Sequence, residues 1–263
     1  MDWIMKTSTD SARRGIRWTM TMTATTTLED LDFADDIALL SHRHQDMQEK
    51  TNAFSETTGY FGLVSPEKTK SIRVNARVKD SIKLNGEEIE EVDSVTYLGS
   101  KMSNTGDVEV EIRARMAKAS QAFASLRRES NVISTLFYGS QSWKMSKIIC
   151  HKLDVFQTRC LRRILNIFWP NTITNEELHR RTETESITTQ VQQRRWRWIG
   201  HVLRQQTADL STVALRWTPD GRPKETWRRT VEREMKGKGW TQGHLERVSE
   251  TSVSDRHWLS DSG

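Results

Sequence analysis

Two neighbouring carboxylates, Asp35 and Asp36, interrupt the strand-forming run Leu31-Asp32-Phe33-Ala34-Asp35-Asp36-Ile37-Ala38-Leu39-Leu40. Phe33, Ile37, Leu39 and Leu40 favour a half-buried pleated surface. Adjacent carboxylates there repel each other and are costly to bury without a partner. Two arrangements reconcile these facts. One is a polar turn in water, where aspartate is common. The other is a divalent cation held at the tip of a hairpin. Magnesium takes hard oxygen ligands, usually one or two carboxylates completed by phosphate and water. In two-metal phosphoryl transfer a pair of such ions clamps the attacking and leaving oxygens. Residue chemistry alone admits both arrangements.

A second constellation is basic and aromatic. Arg162-Arg163, Arg180-Arg181, Arg194-Arg195-Trp196-Arg197-Trp198 and Arg228-Arg229 interleave arginine with tryptophan. Arginine pairs with phosphates and indole rings stack on unpaired bases, so Arg194, Arg195, Trp196, Arg197, Arg228 and Arg229 are candidate nucleic-acid contacts. Such binding weakens steeply with salt. The competing reading makes the tryptophans core and the arginines solvated. Trp198, on an apolar stripe, fits core, whereas Trp196 fits either. Cys150, His151, Cys160, His179 and His201 show no compact zinc spacing, so no zinc is expected.

Charge separates the two constellations. Residues 1–110 hold 13 Lys and Arg against 19 Asp and Glu, and residues 111–263 hold 27 against 16. An acidic first part and a basic remainder suit cation chemistry in one and polyanion contact in the other. With two cysteines there is no disulfide framework, which makes a reducing, intracellular setting (nucleus or cytoplasm) the expectation. No run reaches the roughly 18 apolar residues of a membrane span, and the opening MDWIMKTSTDSARRG lacks a charged-then-apolar signal pattern.

Local patterns place the elements around these groups. Residues up to 27 show little periodicity, and Thr19 to Thr27 reads as extended or loop. Leu28 to Phe33 and Asp36 to Ser41 read as strands joined at Ala34-Asp35. Met47, Phe54 and Phe61, with Thr51 and Thr58 between, predict a helix from His44 that ends near Gly59 and Gly62. Thr69 to Asn75 alternates as a strand. Ile82 to Leu84 and Glu87 to Ile89 flank Asn85-Gly86, a dipeptide suited to a type I′ hairpin turn. Val95 to Leu98 predicts a further strand closed by Gly99. Beyond Gly106 the apolar spacing becomes helical. Its stripes are Ile112, Met116, Ala119, Phe123 and Leu126, then Leu153, Phe156, Cys160, Ile164 and Ile167, then Ile187, Val191, Trp198 and Val202. Arg194, Arg195, Arg197 and Arg204 are expected on or beside the polar side of the third stripe. Thr174 to Glu177 fits a capping box, and Trp227 to Met235 and Leu245 to Val248 could add helices.

In this order, "FADDIALLS", "GLVSPEKTKSIRVN", "LNGEEIEEVDSVTYLGS" and the following basic helix resemble the second half of the reverse transcriptase of a non-LTR (LINE-type) retrotransposon. The likeness continues through "LFYGSQSW", "FQTRCLRRILNIFWP", "RRWRWIGHVLR", "ALRWTPDGRPKETWRR" and "DRHWL", and covers nearly the whole chain. It implies an α+β fold: a partial palm of antiparallel strands plus helix at 1–106, a thumb-like helical segment at 107–147, and a basic helical region at 148–263. It implies RNA-directed DNA polymerase chemistry with Mg2+ as cofactor and an RNA template and DNA primer as partners. Phe33-Ala34-Asp35-Asp36 matches the family's aromatic-x-Asp-Asp motif, making Asp35 a metal ligand and Asp36 its neighbour near the ions. Lys68 matches the lysine of the next palm motif, a candidate for protonating pyrophosphate, or is a surface lysine. Tyr97-Leu98-Gly99 matches the hairpin that grips the primer end, or only packs the palm against the thumb.

The resemblance also implies an earlier metal-binding aspartate and a set of fingers. Nothing before Asp35 fits, since Asp2 and Asp10 stand in the wrong context. The passage from Arg128 to Phe137 and the run "DGRPKE" are shorter than the family pattern. The expectation is a polymerase fragment inactive by itself, with a non-catalytic RNA- or DNA-binding remnant or a pseudogene product as alternatives.

Overall fold

Two-residue turns set the character of the first part of the chain. The computed structural model describes residues 13–21, 24–59, 64–74, 80–126, 129–205, 210–216 and 226–240. The chain is mixed α and β and divides into two compact units, Met1–Glu111 and Ile112–Gly263.

In the first unit β1 (Ile16–Thr21) pairs antiparallel with β2 (Ala24–Leu28), a hairpin where the sequence suggested only extended chain or loop. Gly15 sits against this pair so closely that a Cβ would meet the Leu28 carbonyl oxygen at 2.1 Å, so no side chain fits there. β3 (Asp30–Phe33) and β4 (Asp36–Leu39) form the expected hairpin around Ala34-Asp35. The helix α1 (His44–Gly59) follows, with Thr51, Phe54, Ser55 and Thr58 buried as its stripe requires. Phe61 lies outside the described residues.

The strand expected from Thr69 to Asn75 shrinks to β5 (Lys70–Ser71), and Asn75 is outside the described residues. β6 (Lys83–Leu84) and β7 (Glu87–Glu88) flank Asn85 and Gly86, whose φ values of 55° and 85° are those of a type I′ turn. β8 (Glu90–Glu91) pairs in parallel with β5. Val95 to Leu98 is half of another hairpin: β9 (Ser94–Tyr97) turns through Leu98 and Gly99, φ 47° and 77°, into β10 (Ser100–Ser103). Leucine seldom takes positive φ, so of the two turn positions residue type marked only Gly99, while the hairpin itself was implied by the resemblance at Tyr97-Leu98-Gly99. Every described pairing is two-stranded. The α+β class therefore holds, but a wide palm sheet is not among the described strands.

Ile82, Leu84 and Ile89 form a small core with Met47 of α1 and Val64. Gln48 of α1 stands in for a neighbouring strand, donating to the Lys83 carbonyl at 2.7 Å and accepting from the Lys83 amide at 2.8 Å. Pairing both groups satisfies the open edge of β6.

The second unit is helical. α2 (Val108–Leu126) buries Ile112, Ala119 and Phe123, and α3 (Glu129–Phe137) follows it. A 3-10 turn (Ser140–Ser142) leads to α4 (Lys147–Ile164), α5 (Asn175–Thr182), α6 (Ile187–Arg204), α7 (Leu210–Arg216) and α8 (Trp227–Gly237). Ser146, Thr174, Ser186 and Thr226 each accept from the amide three residues on, supplying N-caps. The capping box is only half made. The Thr174 hydroxyl takes the Glu177 amide at 3.2 Å, while the Glu177 carboxylate turns to Arg180 and Arg181. Gln157 of α4 receives the Ile187 amide at 2.9 Å and donates to the Glu185 carbonyl at 2.8 Å, fixing the start of α6. Leu245 to Val248 lie outside the described residues. Among the described residues no helix is long and apolar enough to cross a membrane.

Candidate functional site

The register of the acidic hairpin decides what its carboxylates can do. Phe33 pairs with Asp36, Leu31 with Ala38, Asp32 with Ile37 and Asp30 with Leu39. Directly paired residues share a face and alternate residues change face. Asp36 therefore lies on the face of Leu31 and Phe33, and Asp30 and Asp32 lie on the other. Ala34 begins the turn at φ 56°. Phe33, Asp35 and Asp36 are all exposed, so neither carboxylate of the pair carries a burial penalty.

The base of the hairpin is held by a lysine. Lys50 of α1 is 1% exposed, and its ammonium donates to the Glu29 carboxylate at 2.6 Å, the Glu29 carbonyl at 2.9 Å and the Leu40 carbonyl at 2.7 Å. Glu29 precedes β3 and Leu40 follows β4, and the Leu40 amide also donates to the Glu29 carbonyl at 2.9 Å. A buried ammonium demands three acceptors, and here they are the two ends of the hairpin. The apolar side is held from the β9–β10 turn, where the Tyr97 hydroxyl donates to the Leu31 carbonyl at 3.0 Å. Burial pushes the Tyr97 hydroxyl pKa up, and the negative charges of Asp36, Asp32 and Asp30 push it further in the same direction.

Asp35 and Asp36 offer oxygen donors of the kind Mg2+ takes. Among the described residues, no group of three His, Cys, Asp or Glu side chains is placed to hold a metal ion. The pair is thus at most part of a metal site. Lys68 is exposed in a turn closed by its amide on the Ser65 carbonyl at 3.2 Å, and no bond joins it to Asp35 or Asp36. Leu98 and Gly99 form the turn that presents Tyr97.

The basic constellation in the second unit is sorted by burial. Arg195 was expected on or beside the polar side of α6 and is 0% exposed. It donates to the Trp143 carbonyl at 2.7 Å and pairs with Glu234 of α8. Burial pulls the Arg195 guanidinium pKa down and pushes the Glu234 carboxyl up, each opposed by attraction to the other. Trp196 is buried as well, in a core with Ile199 and Val231, and its ring meets Trp240 edge-on at 5.3 Å. Trp198 is half-buried and meets Trp227 at 5.8 Å. The signal for Arg195 was present: it lies four residues after Val191 and four before Ile199, both buried. Arg194 and Arg197 do reach solvent, Arg194 lying over the Phe137 ring at 4.8 Å. Arg228 is half-exposed beside Glu232, and Arg229 is exposed.

One relative carries a name that bears on these features. The chain is 25% identical over 236 residues to an uncharacterized transposon-derived protein of Caenorhabditis elegans, a match covering 78% of this chain and 81% of the relative. No protein-family model matches the chain, and no solved structure matches it. Cys160, expected in the core, lines a small apolar cavity with Phe123, Leu136, Phe156 and Ile187.

Proposed function

We propose that this chain is a transposon-derived segment of a non-LTR retrotransposon reverse transcriptase, one that by itself binds nucleic acid without polymerising it. The order of motifs supports the ancestry, and so does the name of the worm relative. The observation that carries the reading is the exposed Asp35-Asp36 pair at a hairpin tip, braced by Lys50 below and by Tyr97 from a second hairpin. In the ancestral reaction the primer 3′-hydroxyl attacks an α-phosphate and pyrophosphate leaves; Asp35 and Asp36 would hold Mg2+, which would neutralise phosphate charge, Lys68 would donate a proton and Tyr97-Leu98-Gly99 would lie against the primer end. Positioning and charge neutralisation are the protein's part in such chemistry.

Among the described residues no third carboxylate joins Asp35 and Asp36, and two carboxylates are a poor grip for two ions and a triphosphate. That favours the binding reading for the isolated chain, through Arg194, Arg197, Arg228 and Arg229 contacting phosphates. The test is primer extension on poly(rA)/oligo(dT) with magnesium, run beside salt-dependent binding of single-stranded RNA. No incorporation together with salt-sensitive RNA binding is expected. Incorporation abolished by Asp35→Asn would make the chain a polymerase in its own right. Absence of both activities would leave a pseudogene product.

A further inference from the structure

The end of α4 and the loop after it form an exposed aromatic and basic surface. Trp169 is 88% exposed and Phe168 is 59% exposed. α4 ends in a Schellman arrangement: Asn166 takes φ 55°, the Ile167 amide donates to the Arg162 carbonyl at 2.9 Å, and the Asn166 amide donates to the Arg163 carbonyl at 3.3 Å. The guanidinium of Arg162 then reaches across the loop, donating to the Ile173 carbonyl at 3.2 Å and the Asn175 side chain at 2.7 Å. Both ends of the loop are therefore tied to one residue. Its tip is a built feature that holds two large aromatic side chains in water, against the hydrophobic effect.

Basic charge prevails along α4 and the loop, and acidic residues beyond Asp154 enter only at the start of α5, with Glu176 and with Glu177, whose carboxylate is paired with Arg180 and Arg181. From Ile148 to Ile173 the single acidic residue is Asp154, whose carboxylate accepts from Thr188 of α6 at 3.1 Å. Arg159 and Arg163 lie one turn apart on α4, both exposed, with no hydrogen-bonding or ionic partner among the described residues. Exposed aromatics beside uncompensated guanidinium groups match a ligand that offers flat unpaired rings and phosphates together. A duplex keeps its ring faces stacked inside and offers the aromatics little.

From this juxtaposition we infer that the Phe168-Trp169 loop and the Arg159–Arg163 face of α4 form a single-stranded nucleic-acid platform, with bases stacking on the aromatics and phosphates on the arginines. This rests on the nucleic-acid-binding reading above and places the contact away from the tryptophan-rich segment of α6.

The test measures anisotropy of a labelled oligouridylate against the full chain, with a duplex RNA of equal length as comparison. Trp169→Ala should weaken single-strand binding about tenfold while leaving duplex binding, circular dichroism and melting temperature unchanged. Trp169→Phe should keep most of the affinity. The double variant Arg159→Gln/Arg163→Gln should flatten the dependence of log affinity on log salt by about 1.4. If the chain binds RNA and Trp169→Ala binds equally well, the platform is wrong and the binding reading stands. If the unmodified chain binds no RNA, both fall. An equal loss for duplex, or a change in sedimentation with RNA affinity intact, would also overturn the platform.

Discussion

Tyr97 donates its phenolic hydrogen to the carbonyl of Leu31 at 3.0 Å, joining residues 66 positions apart and tying the β9–β10 hairpin to the strand that carries the aspartates. The bond needs a protonated phenol. Because the folded-state pKa is raised above the ordinary value of 10.0, the folded form holds its proton more tightly than the unfolded chain. The associated stability is present below the ordinary pKa and is lost as pH rises through the raised one. Ultraviolet titration should show a late component from Tyr97, ionising above the ordinary tyrosine value. Tyr97→Phe should remove that late component; its persistence would show that another tyrosine is responsible.

Lys50 should be the most sensitive position of the acidic hairpin. Lys50→Met removes an ammonium from two carbonyls and a carboxylate, leaving the Glu29 charge in a mostly buried place. Breaking one side of such a pair costs about 3 kcal/mol, read as a lower urea midpoint. Lys50→Met/Glu29→Gln should recover part of the loss. A single-variant cost under about 1 kcal/mol would contradict the clamp.

Arg195 offers the same logic between helices. Arg195→Met strands the Glu234 carboxylate and the Trp143 carbonyl, and should destabilise the chain by about 3 kcal/mol. Arg195→Met/Glu234→Leu should be clearly more stable than the single variant, since the pair is buried and its charges are costly to desolvate. Chemical denaturation of the four species gives the coupling directly. A coupling near zero would mean the two side chains are independent.

Ala34 occupies the left-handed region at φ 56°, where a methyl group is disfavoured. Ala34→Gly should therefore stabilise the hairpin by about 0.5–1 kcal/mol. It leaves both carboxylates in place, so it separates hairpin geometry from charge. Destabilisation would show that the turn does not hold this conformation in solution.

Much of the local architecture was legible because its causes are local. Asn85-Gly86 turns where a type I′ dipeptide must, α1 starts at His44 and ends at Gly59, and α8 begins at Trp227. The β1–β2 hairpin was not legible, and at the β9–β10 turn only Gly99 and the family resemblance, not Leu98, marked the reversal. A threonine-rich stretch has no alternation to read, and leucine announces no turn.

The sequence by itself determined the acidic tip, the helical stripes and the uneven distribution of charge, since each follows from neighbours within a few residues. Helical spacing puts Arg195 in line with Val191 and Ile199. Tertiary structure alone supplied the Glu234 carboxylate and Trp143 carbonyl that let it face inward, buried Trp196, and set Lys50 and Tyr97 to hold the aspartate hairpin. The partners involved are 39, 21 and 66 positions away for Arg195, Lys50 and Tyr97. A charge is affordable inside only when chain folding brings it acceptors, and no local spacing encodes where those acceptors will come from.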